Sequence, residues 1–208
     1  GTVVRWIRDL AATLSPGRLA IGAALLLTSP FTPMIFMGEE WAASTPWQFF
    51  TGFPDAELGA AVRDGRRAEF SRHGWHTEDV PDPQDPATFE RSVLRWDERR
   101  DGEHARILGW YRSLVALRRK EADLRDDDLR GVEVEHGDDW LTVRRGRFTV
   151  AVSLGKDPIR LPLAGPGRVE LAWGEVALGE DGALDLGPDS VAVLSADPQV
   201  RAKPRGTR

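Results

Sequence analysis

The hydrophobic period of this chain changes once, and that change rules out a single fold type. From Glu103 to Lys120 apolar residues recur at helical spacing; beyond the acidic run Asp126, Asp127, Asp128 they alternate. Val132 to Val134, Trp140 to Val143, Phe148 to Val152, Ile159 to Leu163, Val169 to Trp173, Leu184 to Leu186 and Val191 to Leu194 are short runs rich in β-branched and aromatic residues, cut by Gly, Asp and Pro clusters. Strands so closely spaced pair antiparallel, as in a sandwich or small barrel. Residues 129–196 are therefore expected to form a separate all-β domain. The three aspartates read as a solvated hinge before it, and the basic tail 197–208 as disordered.

The first half obeys different rules. Ser15 is placed as an N-cap with Pro16 at the first helical position, and Leu19, Ala20, Ile21, Ala23, Ala24, Leu25, Leu26 and Leu27 make a helix that Ser29 and Pro30 end. The last two turns of that helix are apolar nearly all round, so it needs cover on more than one side. An apolar run from Pro33 to Met37 follows, of a length that suits a buried strand, and Gly38 breaks it. Helix, tight turn and buried strand are one step of a parallel α/β sheet, and a parallel sheet needs several such steps. Residues 1 to about 55 thus read as the tail of a larger α/β domain, with 1–125 as the whole α/β portion. Within it, 55–72 is expected to be a helix broken by Gly65. Residues 73–88 are expected to be held extended by Pro81, Pro83 and Pro86, and Glu103 to Lys120 to be a secure amphipathic helix.

The chemistry concentrates in the stretch from Phe31 to Phe53. Glu39, Glu40, Trp41, Trp47, Gln48, Phe49 and Phe50 follow the strand-ending glycine, where parallel α/β proteins build ligand sites. Carboxylates and amides bond hydroxyls and aromatic faces stack on apolar rings, so sugar is the ligand this composition suggests. Glu39 and Glu40 are adjacent, and on a continuing strand they would point to opposite faces, which denies them the role of a catalytic pair. One of them can bond sugar hydroxyls, or both can serve as loop caps. The aromatics divide between a stacking platform and packing of the loop. His73 and His76, near Glu69, Glu78, Asp79 and Asp82, match no zinc spacing and read as surface histidines, so neither metal nor cofactor is expected. Arg66 and Arg67 read as braces.

The net charge of −5 is spread among interspersed acids and bases, which argues against nucleic acid as a partner. With no cysteine the chain offers no thiol nucleophile and fits a reducing compartment. The apolar stretch Leu19 to Leu27 is too short to cross a bilayer, so no membrane role and a cytoplasmic setting are expected.

The segment SPGRLAIGAALLLTSPFTPMIFMGEEW resembles the last barrel helix, eighth strand and following loop of α-amylase-family glycoside hydrolases. More narrowly, STPWQFF (44–50), GRRAEF (65–70) and PDPQDPATFERSVLRW (81–96) resemble the trehalose-releasing members, the malto-oligosyltrehalose trehalohydrolases. The resemblance runs from about Ser15 to Leu194. It implies the end of a (β/α)8 barrel followed by a β-sandwich, and hydrolysis of the α-1,4 bond next to the terminal trehalose of a malto-oligosaccharide. It further implies that the catalytic carboxylates belong to earlier barrel strands, so no catalytic residue is assigned here and the chain alone is expected to be inactive. The sugar-contacting role falls to Glu39, Glu40, Trp41, Trp47, Gln48, Phe49 and Phe50. A non-catalytic carbohydrate-binding module, or a scaffolding role for the β domain, are the other readings.

Overall fold

In the computed structural model the described residues are 10–72, 74, 76, 80–163 and 167–196. The tail 197–208, residues 1–9, and His73, Trp75, Glu78 and Asp79 lie outside them. The chain divides into two compact units, one of Gly1–Leu14 with Ile35–Arg106 and one of Ser15–Met34 with Ile107–Arg208.

The second unit is built on two antiparallel sheets. Its strands are β1 (Val132–His136), β2 (Trp140–Arg145), β3 (Phe148–Ser153), β4 (Ile159–Pro162), β5 (Gly167–Trp173), β6 (Val176–Leu178), β7 (Ala183–Leu186) and β8 (Ser190–Ala196). The larger sheet runs β1-β2-β3-β8-β5 and the smaller β4-β7-β6. Ala151, Ala192 and Leu194 of the larger sheet meet Leu161, Leu184 and Leu186 of the smaller in one buried cluster. β7 alternates, with Leu184 and Leu186 buried in this core, whereas β3 and β8 are buried along nearly their whole length. β6 has no counterpart among the expected runs: it is three residues long and its side chains are mostly exposed, so it carries no apolar signature.

Helix α1 (Pro16–Thr28) packs on β8 and β3. Ser15 caps it by accepting from Arg18 N at 3.1 Å, as the sequence predicts, and the Ser15 hydroxyl donates to Asp189 Oδ2 at 2.6 Å. Gly17 is required at this approach, because a Cβ there would lie 2.1 Å from Asp189 O. At the other end Arg118 donates to the carbonyls of Leu27 (2.9 Å), Ser29 (2.6 Å) and Phe31 (3.0 Å), satisfying groups that a helix C-terminus leaves open. The cover that this apolar helix needs comes from the β sheets and from Trp110, whose indole donates to Ala20 O at 3.0 Å and whose ring meets Trp173 edge-on.

In the first unit α2 (Ala56–Arg72) is one continuous helix, contrary to the break expected at Gly65. That glycine is exposed with open space beside it, and the helix absorbs a local cost of about 1 kcal/mol. Pro86 does not extend the chain but starts a short helix, α3 (Pro86–Glu90), capped by Asp85 accepting from Ala87 N at 2.9 Å. Helix α4 (Gly102–Lys120) stands where the periodicity places it, with Ile107, Trp110, Tyr111, Leu114 and Leu117 buried.

The expected buried strand from Pro33 to Met37 is not formed. The segment pairs with no strand, and Met34 is 75% exposed, Ile35 42% and Met37 37%. A parallel strand depends on neighbours for both its ladder and its cover, and the described residues supply neither.

Candidate functional site

The apolar run ends in a strained turn. Met37 (φ 42°), Gly38 (φ 84°) and Ala42 (φ 53°) all lie in the left-handed region, around a single 3-10 turn of Glu39–Trp41. Two of the three positive-φ non-glycine residues among the described residues fall within six positions here, and such clusters accompany ligand sites. Gly38 O accepts from Trp41 N (3.2 Å) and Ala43 N (3.0 Å), while His104 Nδ1 lies 2.8 Å from Trp41 O. Glu39 and Glu40 therefore sit on a turn, not on a continuing strand, and Glu40 Oε2 is buried with no hydrogen-bond partner among the described residues.

The predicted aromatics separate by burial. Trp41 is 2% exposed, its ring against Trp96 at 5.2 Å, so it packs the turn and presents no face to a ligand. Trp47, Phe49 and Phe50 are half-buried, and each has its own support. Phe36 meets the Trp47 ring edge-on at 5.2 Å, the Arg66 guanidinium lies 4.2 Å from the Phe49 centroid and 5.0 Å from that of Phe70, and Phe89 meets Phe50 edge-on at 5.1 Å. Burial lowers the Arg66 pKa, with Glu69 acting in the opposite sense. Arg66 thus braces Phe49 through the π face of its ring, with the Glu69 carboxylate close enough to act on its charge. Gln48 is held through its backbone and its side chain: its amide N donates to Ser92 Oγ at 3.0 Å, and its Oε1 accepts from Arg91 Nε at 3.3 Å. The second lone pair of Oε1 and the Nε2 donor are the groups of this side chain suited to meet a hydroxyl.

The residues that sequence reasoning did not single out are those beneath the loop. Ser92, Gln84, Glu98 and Arg95 all lie in or beside the segment 81–96, whose motif was visible but whose individual polar residues look ordinary. Among the described residues no group of three or more His, Cys, Asp or Glu is placed to hold a metal ion. His76 is exposed, and its expected companions His73, Glu78 and Asp79 are outside the described residues.

No family model matches the chain. Among solved structures it is similar to a putative alpha amylase from Salmonella typhimurium, with a TM-score of 0.71 and 32% identity over 90% of this chain and 32% of that one. An isomaltulose synthase mutant from Erwinia rhapontici shares the fold, with a TM-score of 0.58 at 15% identity, over 91% of this chain and 40% of that one. The antiparallel β domain and the structures it resembles place the chain among the α-amylase-family enzymes, in the part that carries their C-terminal sheets.

Sequence relatives narrow this. The malto-oligosyltrehalose trehalohydrolase of Brevibacterium helvolum is 51% identical over 189 residues, 90% of this chain and 32% of its own length. That of Mycobacterium tuberculosis is 46% identical over 185 residues, 88% of this chain and 31% of its own length. The chain belongs to the malto-oligosyltrehalose trehalohydrolases as a C-terminal part. It spans about a third of the length of the curated relatives it matches.

Proposed function

We propose that this chain supplies one wall of the sugar site of a glycoside hydrolase that cleaves the α-1,4 bond next to the terminal trehalose of malto-oligosyltrehalose and releases trehalose. The observation that carries the reading is the identity of 46–51% with trehalohydrolases across nearly the whole chain. The strained turn and the supported ring cluster fall inside that match. Trp47, Phe49 and Phe50 form the stacking surface, Gln48 Nε2 and the carboxylates of Glu39 and Glu40 meet hydroxyls, and Trp41 packs behind them. In the full-length protein the segment 33–37 takes the place of the eighth strand of a (β/α)8 barrel, and the two sheets of residues 129–196 form a β-sandwich domain. The attacking and proton-donating carboxylates of such a reaction stand on either side of the scissile bond. The adjacent Glu39 and Glu40 share one turn and do not stand so; the attacking and proton-donating carboxylates are assigned to the part of the full-length protein outside this chain, which spans about a third of the length of its relatives. No described helix is long and apolar enough to cross a membrane.

The test is trehalose release from malto-oligosyltrehalose by the full-length protein and by this chain. Turnover by the former alone supports the proposal. Turnover by the isolated chain, or saturable sugar binding by a full-length protein that never releases trehalose, refutes it; the latter outcome is that of a binding module.

A further inference from the structure

Residues 83–98 run antiparallel along the aromatic loop 44–53 and fasten it at successive points. Thr51 N donates to Pro83 O at 2.7 Å, and Gln84 grips Phe53 from both sides, accepting from its N at 3.1 Å and donating to its O at 3.3 Å. Further along, Gln48 N donates to Ser92 Oγ, and Ser92 is itself 3% exposed and donates to Thr88 O at 2.9 Å. At the far end the anchor is ionic. Glu98 accepts from Ser44 N at 3.1 Å, from the Ser44 hydroxyl, and from Arg95 Nε at 2.8 Å, and Arg95 Nη2 donates back to Ser44 Oγ at 2.8 Å. The Glu98 side chain is 10% exposed while that of Arg95 is 67% exposed, so the carboxylate is enclosed by the loop it holds and not by solvent.

These donors close a ring of Ser44, Glu98 and Arg95 at the point where the loop begins. Trp47, Gln48, Phe49 and Phe50 follow within six residues. We infer that Glu98 is a positioning residue for sugar binding, which orders the start of the aromatic loop before the sugar arrives. A loop that is already ordered does not charge its ordering entropy to the ligand, so the effect of Glu98 falls on affinity and leaves the chemical step alone. Burial raises the Glu98 pKa, but hydrogen bonds from Ser44 and Arg95 outweigh it and hold the carboxyl below the usual range, so it stays ionised at neutral pH. The inference rests on the proposed role of the loop.

The experiment compares Glu98→Gln, Ser44→Ala, their double variant and Trp47→Ala in the full-length protein, by steady-state kinetics on malto-oligosyltrehalose and by thermal melting. Glu98→Gln is expected to raise KM about tenfold, the size of one charge-assisted hydrogen bond, with kcat within about twofold. The Ser44→Ala variant raises KM less, and the double variant is no worse than Glu98→Gln, because both act on one contact. If Glu98→Gln lowers the melting temperature while KM is unchanged, Glu98 only stabilises the fold and the inference is overturned. If Trp47→Ala raises KM but neither Glu98→Gln nor Ser44→Ala does, the inference alone falls. If Trp47→Ala also leaves KM unchanged, the loop does not bind sugar and both readings fall. Should Glu98→Gln fail to fold, Ser44→Ala, which keeps the buried carboxylate, decides the matter on the same KM criterion.

Discussion

Replacing Gly38 with alanine tests the strained turn at its tightest point. Gly38 is buried at φ 84°, and an added Cβ would lie 2.8 Å from Ala43 Cβ, 2.9 Å from Trp41 Cζ2 and 3.1 Å from Leu94 Cδ2. The left-handed conformation costs an alanine about 1–2 kcal/mol. Forcing a methyl into a packed site adds about 1–3 kcal/mol, so the expected loss is about 2–5 kcal/mol. The two closest neighbours cannot yield cheaply, since Ala43 Cβ is fixed to its backbone and Trp41 is enclosed on all sides, at 2% exposure, whereas Leu94 Cδ2 ends a flexible side chain and can shift. Gly102 provides the control in the same unit, with φ 54° and no atom within 4 Å of its added Cβ, so Gly102→Ala carries the conformational cost alone. With a urea slope of about 2 kcal/mol per molar, Gly38→Ala lowers the midpoint by about 1–2.5 M and Gly102→Ala by about 0.5–1 M. Urea titration followed by tryptophan emission and far-UV circular dichroism reads both. Equal shifts for the two variants would refute the claim that close packing, and not φ alone, demands glycine at position 38.

Acid sensitivity is expected at Glu121. Desolvation raises its pKa, but hydrogen bonds and charge from Arg147 and Lys120 prevail and lower it. A carboxyl depressed in the folded state contributes stability that is present above its unfolded pKa and is lost as pH falls through the folded value. The loss therefore starts near pH 4.3, the usual glutamate pKa of about 4.3, and continues below it. Glu121→Gln is expected to be less stable at pH 7 with a flatter decline below that point; an unchanged profile on acid titration counts against the pairing. The segment from Phe31 to Met37 predicts self-association, since Phe31 is 64% and Met34 75% exposed and the run has no strand partner. Met34→Glu should shift the isolated chain toward monomer in size exclusion with light scattering, and a monodisperse parent chain would show that the run is covered in solution.

What could be read from the sequence was what acts over a few residues. The Ser15 cap, Pro16, the Ser29 stop and the α4 stripe each depend on neighbours within a turn or two, and each is where its pattern puts it. Seven of the eight described strands were legible too, β6 being the exception, but strand order was not: β8 lies between β3 and β5, and β4 pairs with β7, through contacts that no local pattern encodes. The segment 33–37 shows the same limit in reverse. Its length and apolarity ask for a strand, and the pairing it asks for must come from elsewhere in the chain or from beyond it.

The site divides along the same line. Glu39, Glu40, Gln48 and the four aromatics stood out by type, whereas the anchors of the loop 44–53, at Phe53, Gln48 and Ser44, are common polar residues 31, 44 and 54 positions away. Composition could not rank the rings either, because a ring's capacity to stack on a sugar depends on how much of it is already occupied. Trp41 spends nearly all its surface on Trp96 and the turn, and Trp96 keeps 55% of its own surface open. Trp47 and Phe50 are met edge-on by Phe36 and Phe89. Edge contacts fix the plane of a ring without covering all of it, which is the condition a stacking platform must satisfy. Phe49 is supported differently, by the Arg66 cation 4.2 Å from its centroid, and is half-buried like the other two. The three half-buried rings, and not the most conspicuous tryptophan of the motif, are therefore where substitution should register in sugar affinity.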